Sequence, residues 1–113
     1  MGRTGGERII MMEFYQGDII KIAGFKNQLF MIVSKNAFIK ATGFFHVCPM
    51  ISGIQPGPLH IPVKGKNGES GTVICEQIKA IDLTARGCNR VDSLAYEDIM
   101  NISDALQGIF EYD

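Results

Sequence analysis

The chain has 113 residues, of which 46% are hydrophobic, and carries 11 Lys plus Arg against 12 Asp plus Glu. This length fits one compact domain, and the hydrophobic share is typical of a globular protein and excludes wholesale disorder. No apolar run approaches the roughly 18–20 residues of a membrane-spanning helix and no signal peptide is recognisable, so we expect a cytoplasmic protein.

The charges are unevenly distributed along the chain. Residues 17–66 hold six lysines against Asp18 alone, whereas residues 91–113 hold six acidic residues and neither Lys nor Arg. This asymmetry would favour the binding of a polyanion to one half of the molecule. Charged residues that only keep strand edges soluble would give the same counts.

The cysteines and histidines give no metal-site pattern. Cys48, Cys75 and Cys88 include no CxxC pair, so we predict reduced thiols and no metal or cofactor. His46 and His60 are the only imidazoles, and histidine is the side-chain type whose unperturbed pKa, about 6.5, lies nearest to neutrality. His46 lies between two apolar residues, as a core histidine would, whereas His60 follows a Gly- and Pro-rich loop.

The predicted elements are mainly strands. The Gly-rich residues 1–12 are interpreted as a poorly ordered leader or cloning remnant, and residues 13–113 as a single domain. Short apolar or alternating runs then predict six strands, with Pro62 placing the fourth at a sheet edge. They cover residues 18–24, 29–34, 43–49, 59–63, 71–76 and 79–82. Because Gly, Pro and Asn separate these short strands, we predict a small antiparallel β-barrel.

The C-terminal region has a different period. Ile99, Ile102, Leu106 and Ile109 recur at intervals of three and four residues. This apolar stripe predicts an amphipathic helix of about four turns that packs against the barrel, with Ser93 as its cap.

Four strings in this order resemble the MazF/PemK/Kid toxins of toxin–antitoxin systems. Residues 17–20 (GDII) resemble the family's opening GDI/V strand, and 31–38 (MIVSKNAF) resemble its LVLS…AYN strand and turn. Residues 42–49 (TGFFHVCP) resemble KTG…CPIT, and residues 72–86 (TVICEQIKAIDLTAR) resemble GVVLADQVKSLDWRAR. Each string is short, and their common order and spacing carry the resemblance.

The resemblance implies an SH3-like or CcdB-like barrel, a homodimer and metal-independent cleavage of single-stranded RNA. It also implies a disordered antitoxin segment that blocks the groove. The toxin–antitoxin complexes of this family bind their operator DNA mainly through the antitoxin.

Metal-free RNA cleavage uses the substrate's 2′-hydroxyl as nucleophile, so the site needs a base, an acid and donors for the crowded phosphate. The family's acidic position falls on Glu76, its catalytic arginine on Gln28 and its threonine on Ile51, with Ser52 beside it. We therefore predict Glu76 as the base, with Ser52 also in the catalytic set.

Two further catalytic groups are predicted near those positions. His60 would be the acid, and Lys26, the cation nearest to the missing arginine, its replacement. A lysine lacks the rigid two-point grip of a guanidinium, which makes this replacement chemically imperfect.

A second set of side chains is predicted to bind substrate. These residues are Gln28, Gln77, Arg86, Phe25 and Lys64. Two of them also have a structural interpretation: Phe25, as an aromatic at a strand start, is commonly a core residue, and Arg86 can tie a strand to a turn.

Three functions remain open from the sequence. The first is an endoribonuclease toxin with an atypical site, and the second is an inactive binding or regulatory protein of the same fold. The third is a CcdB-like gyrase poison, which the absence of tryptophan disfavours because those proteins engage gyrase through a tryptophan-containing C-terminal tip.

Overall fold

The structure is a computed structural model that describes residues 13–82 and 87–111. The predicted leader, residues 1–12, lies outside the described residues. The strands are β1 (Asp18–Ile22), β2 (Leu29–Ile32), β3 (Phe45–Ile51), β4 (His60–Lys64), β5 (Ser70–Ile74), β6 (Lys79–Ile81) and β7 (Cys88–Ser93), and the helices are α1 (Asn36–Thr42) and α2 (Tyr96–Ile109).

All strand pairs are antiparallel and form one sheet in the order β4-β5-β3-β2-β1-β7, with β6 beside β3. The C-terminal end of β3 pairs with β5, and the N-terminal end of β3 pairs with β6. Residues 75–78, which connect β5 to β6, therefore pass the middle of β3. The two edge strands approach where the Lys66 N–H donates to the Ser93 carbonyl at 2.9 Å. This curled antiparallel sheet with a C-terminal helix confirms the predicted barrel.

Each face of the sheet carries an apolar cluster. One face buries Met31, Cys48 and Val73 beneath α2, whose Ile102 is only 1% exposed. The other face buries Phe30 and Ile32 with their neighbours on β1 and β3. Burial on both faces explains why β2 (LFMI) is a continuous apolar run instead of an alternating one.

The helix α2 follows the predicted apolar stripe, but its predicted cap is wrong. Ser93 ends β7, and the helix begins at Tyr96 with Ala95 at the N-cap. Ser93 stays in the strand because its N–H donates to the Asp92 carboxylate and its carbonyl accepts from Lys66.

All six predicted strands are present with ends displaced by no more than two residues, but β7 and α1 were not predicted. β7 is polar because it is an edge strand, with Asn89 and Arg90 exposed. α1 has no buried residue, and Gly43 ends it with a left-handed φ of 76°. Neither element has the apolar periodicity on which sequence prediction depends.

Within the described residues, neither helix is long and apolar enough to cross a membrane.

Candidate active site

The start of β4 and the end of β5 bring two predicted catalytic residues together. His60 pairs with Ile74 in the strand register, so Glu76, two residues beyond β5, lies beside His60. The turn that carries Glu76 is held by the Cys75 N–H, which donates to the Leu59 carbonyl at 2.8 Å. The register of two neighbouring strands therefore positions the pair.

His60 and Glu76 are in direct contact. The His60 Nε2 and Glu76 Oε2 atoms are 2.9 Å apart, and the two side chains are 34% and 43% exposed. Two backbone hydrogen bonds with Gly57, of 3.0 and 3.1 Å, also hold His60. The backbone of His60 is thus held in place, while the side chains of His60 and Glu76 remain accessible to solvent.

The electrostatics favour an ionised carboxylate at this position. The hydrogen bond from His60 holds the pKa of Glu76 below its ordinary value, and a backbone hydrogen bond acts in the same direction. The ionised carboxylate of Glu76 can therefore accept a proton, as a general base must.

The buried thiols of Cys48 and Cys75, near the turn that carries Glu76, are unreactive. Burial is the main cause that raises the pKa of Cys48 to about 12 and that of Cys75 to about 11. Both thiols stay protonated at neutral pH and are poor nucleophiles.

A shallow cavity of about 320 Å³ opens directly over the pair. Gly57, Pro58 and Leu59 line it together with His60 and Glu76. Composition predicts residues 53–58 only as a loop and does not indicate this contribution to the cavity. The two hydrogen bonds between Gly57 and His60 could not be inferred from the sequence either.

Ser52 and Gln28 lie at a different place on the sheet. Ser52 follows Ile51, which pairs with Thr72 inside β5, whereas Glu76 lies beyond the far end of β5, past Ile74. The Gln28 Nε2 amide group donates to the carbonyls of Leu29 at 2.8 Å and Met50 at 2.9 Å, so it ties β2 to β3. The structure therefore does not bring these two side chains to the His60–Glu76 pair.

Lys26 and Phe25 also lie apart from the pair, in the turn between β1 and β2. Lys26 has a left-handed φ of 53° and lines a separate cavity of about 410 Å³ with Lys21. The Phe25 ring packs edge-on against Phe30 at 5.2 Å between centroids, with the Lys79 ammonium 5.7 Å above it. Phe25 thus packs against its neighbours, as the interpretation of this residue as part of the core predicts.

The three remaining predicted binding residues have separate locations. Gln77 is exposed next to Glu76, and its N–H donates to the Ile74 carbonyl at 3.1 Å. Lys64 is exposed at the far end of β4. Arg86 lies outside the described residues.

A larger apolar cleft lies between α1 and α2. It has a volume of about 400 Å³, and Phe38, His46, Leu106 and Phe110 are among its lining residues. The His46 ring lies against Phe38, with 5.1 Å between the ring centroids. His46 therefore belongs to this cleft and not to the His60–Glu76 pair.

The donor set offers no metal site among residues 13–82 and 87–111. No group of three His, Cys, Asp or Glu side chains is close enough there to hold an ion. The His60–Glu76 pair by itself supplies two ligands, fewer than the four of a tetrahedral zinc site.

Several MazF structures share this fold. A MazE–MazF complex from Deinococcus radiodurans is 17% identical, with a TM-score of 0.72 over 84% of this chain and 93% of that chain. A mycobacterial endoribonuclease bound to its cognate antitoxin is 15% identical, with a TM-score of 0.74 over 89% of this chain and all of that one. No curated protein matches the sequence.

The family comparison covers nearly the whole chain. Residues 8–110 match the model of the PemK-like, MazF-like toxins of type II toxin–antitoxin systems. This range includes every element of the barrel, the C-terminal helix and the His60–Glu76 pair. The chain belongs to the family of PemK-like, MazF-like toxins of type II toxin–antitoxin systems.

Proposed function

We propose that this toxin inhibits growth by cutting single-stranded RNA, without a metal, at the His60–Glu76 pair. The observation that carries the proposal is the 2.9 Å contact between the His60 imidazole and the Glu76 carboxylate, both of which are partly open to solvent. Membership of the toxin family supports the reaction class.

In the proposed reaction Glu76 is the general base. Its carboxylate takes the proton of the 2′-hydroxyl, and the 2′-oxygen attacks the adjacent phosphorus. The bond from phosphorus to the 5′-oxygen breaks, and His60 gives that oxygen a proton. The products are a 2′,3′-cyclic phosphate and a 5′-hydroxyl, and DNA is not cut because it lacks the nucleophile.

The arginine that the family resemblance implies is absent, and its position lies apart from the His60–Glu76 pair. Gln28 occupies that position, and its amide group already donates to two carbonyls. A neutral amide cannot supply positive charge to the phosphorane, so we expect slow cleavage. The same observation favours a second candidate, a member of the family that binds RNA or its antitoxin without cutting.

Antitoxin binding, a homodimer and a cytoplasmic location complete the proposal. The MazE–MazF complex and the mycobacterial complex with its cognate antitoxin support such a partner. Operator DNA would be bound mainly by the antitoxin in a complex of this kind. A small acidic protein encoded beside this one would be the candidate antitoxin.

Cleavage of a long unstructured RNA in the presence of EDTA tests the proposal. The purified protein should give discrete fragments ending in a 2′,3′-cyclic phosphate or a 3′-phosphate. Bound but intact RNA at a large protein excess would instead establish the non-catalytic candidate. The absence of both RNA binding and RNA cleavage would overturn the proposal and would leave the second candidate only as a protein that binds its antitoxin.

Growth after induced expression provides a second readout. We expect arrest by the wild-type protein and relief by Glu76→Gln. Glu97→Gln is the matched control, because Glu97 is an exposed carboxylate in the first turn of α2. Arrest that persists in Glu76→Gln at normal protein levels would remove Glu76 from the site.

A further inference from the structure

The strand β4 has one face toward the core and one toward solvent. Ile61 and Val63 pack into the cluster beneath α2. His60, Pro62 and Lys64 alternate with them and therefore lie on the other face, where Pro62 and Lys64 are exposed. The outer face of β4 thus runs from the His60–Glu76 pair to a lysine, over about 13 Å.

The loop after Lys64 is fixed by one buried carboxylate. Asp92 on β7 is 3% exposed and accepts the N–H groups of Asn67 at 2.9 Å and Glu69 at 3.0 Å. The Lys66 N–H, one residue earlier, donates to the Ser93 carbonyl at 2.9 Å. These hydrogen bonds join residues 65–69 to the opposite edge of the sheet.

Close packing accompanies these hydrogen bonds. A Cβ atom added to Gly65 would lie 2.1 Å from an Asp92 carboxylate oxygen. The Gly65 N–H also donates to the Glu69 carbonyl at 2.6 Å, which closes the loop on itself. The conformation of the loop is therefore specified by Asp92 and by the lack of a side chain at Gly65.

Lys66 lies in this fixed loop and Lys64 is the last residue of β4, directly before the loop, and both lysines are exposed. Glu69, the acidic residue of the loop, has its own N–H bound to Asp92. Two ammonium groups on a backbone that is already ordered lose less entropy on binding an anion than they would on a mobile loop.

We infer that Asp92 is a positioning residue: it fixes the loop that carries Lys66 beside Lys64 of β4, so that both lysines meet phosphates of an RNA chain that runs along β4 from the His60–Glu76 pair. This inference rests on the proposed function and specifies its substrate. Because the lysines are more than one nucleotide from the pair, the substrate is an extended oligonucleotide that contacts the protein along its backbone.

Salt-dependent binding tests the inference without requiring cleavage. The probe is an unstructured 2′-O-methyl RNA oligonucleotide, which keeps every phosphate but has no 2′-hydroxyl to attack. Each lysine that neutralises one phosphate should contribute about 0.7 to the slope of log affinity against log salt, so replacing Lys64 and Lys66 together by alanine should reduce the slope by about 1.4. The control is Lys40→Ala on α1, which should leave the slope unchanged.

The positioning role is tested by combining variants. Asp92→Asn should weaken binding, and Lys66→Ala should add little in the Asp92→Asn background, because the two changes disrupt one arrangement. In cleavage assays Asp92→Asn should raise KM more than it lowers kcat. A purely structural Asp92 would instead give additive effects on binding and no preferential change in KM.

The outcomes separate this inference from the proposed function. If the protein cuts RNA but the lysine variants keep the wild-type slope, or the probe does not bind, the inference is wrong and the function stands. If the protein neither binds nor cuts RNA, the proposed function fails as well. Should Asp92→Asn not fold, the lysine variants decide the result, since both side chains are exposed.

Discussion

Two carboxylates of this barrel, Glu76 and Asp92, have lowered pKa values for different reasons. Glu76 has a 43% exposed side chain and is held by the side chain of His60. Asp92 is 3% exposed, and burial alone would raise its pKa. Hydrogen bonds from the backbone N–H groups of Asn67, Ser93 and Glu69 together outweigh that effect.

The difference shows that the hydrogen-bond partner and the exposure of a carboxylate indicate whether its role is catalytic or structural. A carboxylate bound by backbone groups in the interior cannot release them without opening the loop, so its charge serves the fold. A carboxylate bound by an exposed imidazole can exchange that partner for substrate. Glu76 is therefore the better candidate for catalysis, although both groups are ionised at neutral pH.

The largest expected effect is on activity at Glu76. Glu76→Gln should lower the rate of RNA cleavage by about 10²–10⁴-fold, the usual contribution of a general base. Its Tm should stay close to that of the wild type, because the side chain is exposed. Initial rates and thermal melts of Glu76→Gln and Glu97→Gln check this, and equal rates in the two variants would contradict it.

The second expected effect is on stability at Asp92. Asp92→Ala should lower the free energy of unfolding by about 1–3 kcal/mol, because buried N–H groups of the loop are left without their acceptor. Urea denaturation measures this change. The matched comparison is Asp104→Ala on the exposed face of α2, which should cost much less. An equal loss in both variants would place Asp92 among ordinary surface charges.

A third effect arises from the space around Asp92. Gly65→Ala should destabilise the protein by about 1–3 kcal/mol, because the added methyl group overlaps the carboxylate. In the Asp92→Ala background the same change should cost less, since the overlapping group is gone. Additive losses in the double variant would argue against this overlap.

The smallest effect is the dependence of stability on pH. A lowered folded pKa gives Asp92 a stabilising contribution that is complete above its ordinary value of 3.8 and is lost as pH falls through the folded pKa. Below about pH 4 the wild type should therefore lose stability faster than Asp92→Asn. Urea denaturation at successive pH values checks this, and parallel curves for the two proteins would contradict it.

Much of the fold was predictable from local pattern. The apolar runs located six strands, and the spacing of Ile99, Ile102, Leu106 and Ile109 located α2. The four short strings gave the family, which its model confirms over residues 8–110. The boundary between a leader at 1–12 and a domain at 13–113 stays a prediction.

The candidate site was predictable only in part. His60 and Glu76 were named from the sequence, one from a loop position and the other from the resemblance, but their contact follows from the pairing of His60 with Ile74. Ser52 and Lys26 were grouped with them, and the structure places both elsewhere on the barrel. A resemblance assigns residues to positions without giving the distances between them.

The sequence by itself therefore determined the strand-rich barrel, the amphipathic helix and the family, because periodicity and short motifs are local properties of a chain. Only the tertiary structure decided that Gln28 ties two strands together, that Asp92 fixes the loop after β4 and that Glu76 meets His60. Each of these interactions joins residues distant in sequence through the register and curvature of the sheet. Side chains at such separations carry no mutual signal in a single sequence.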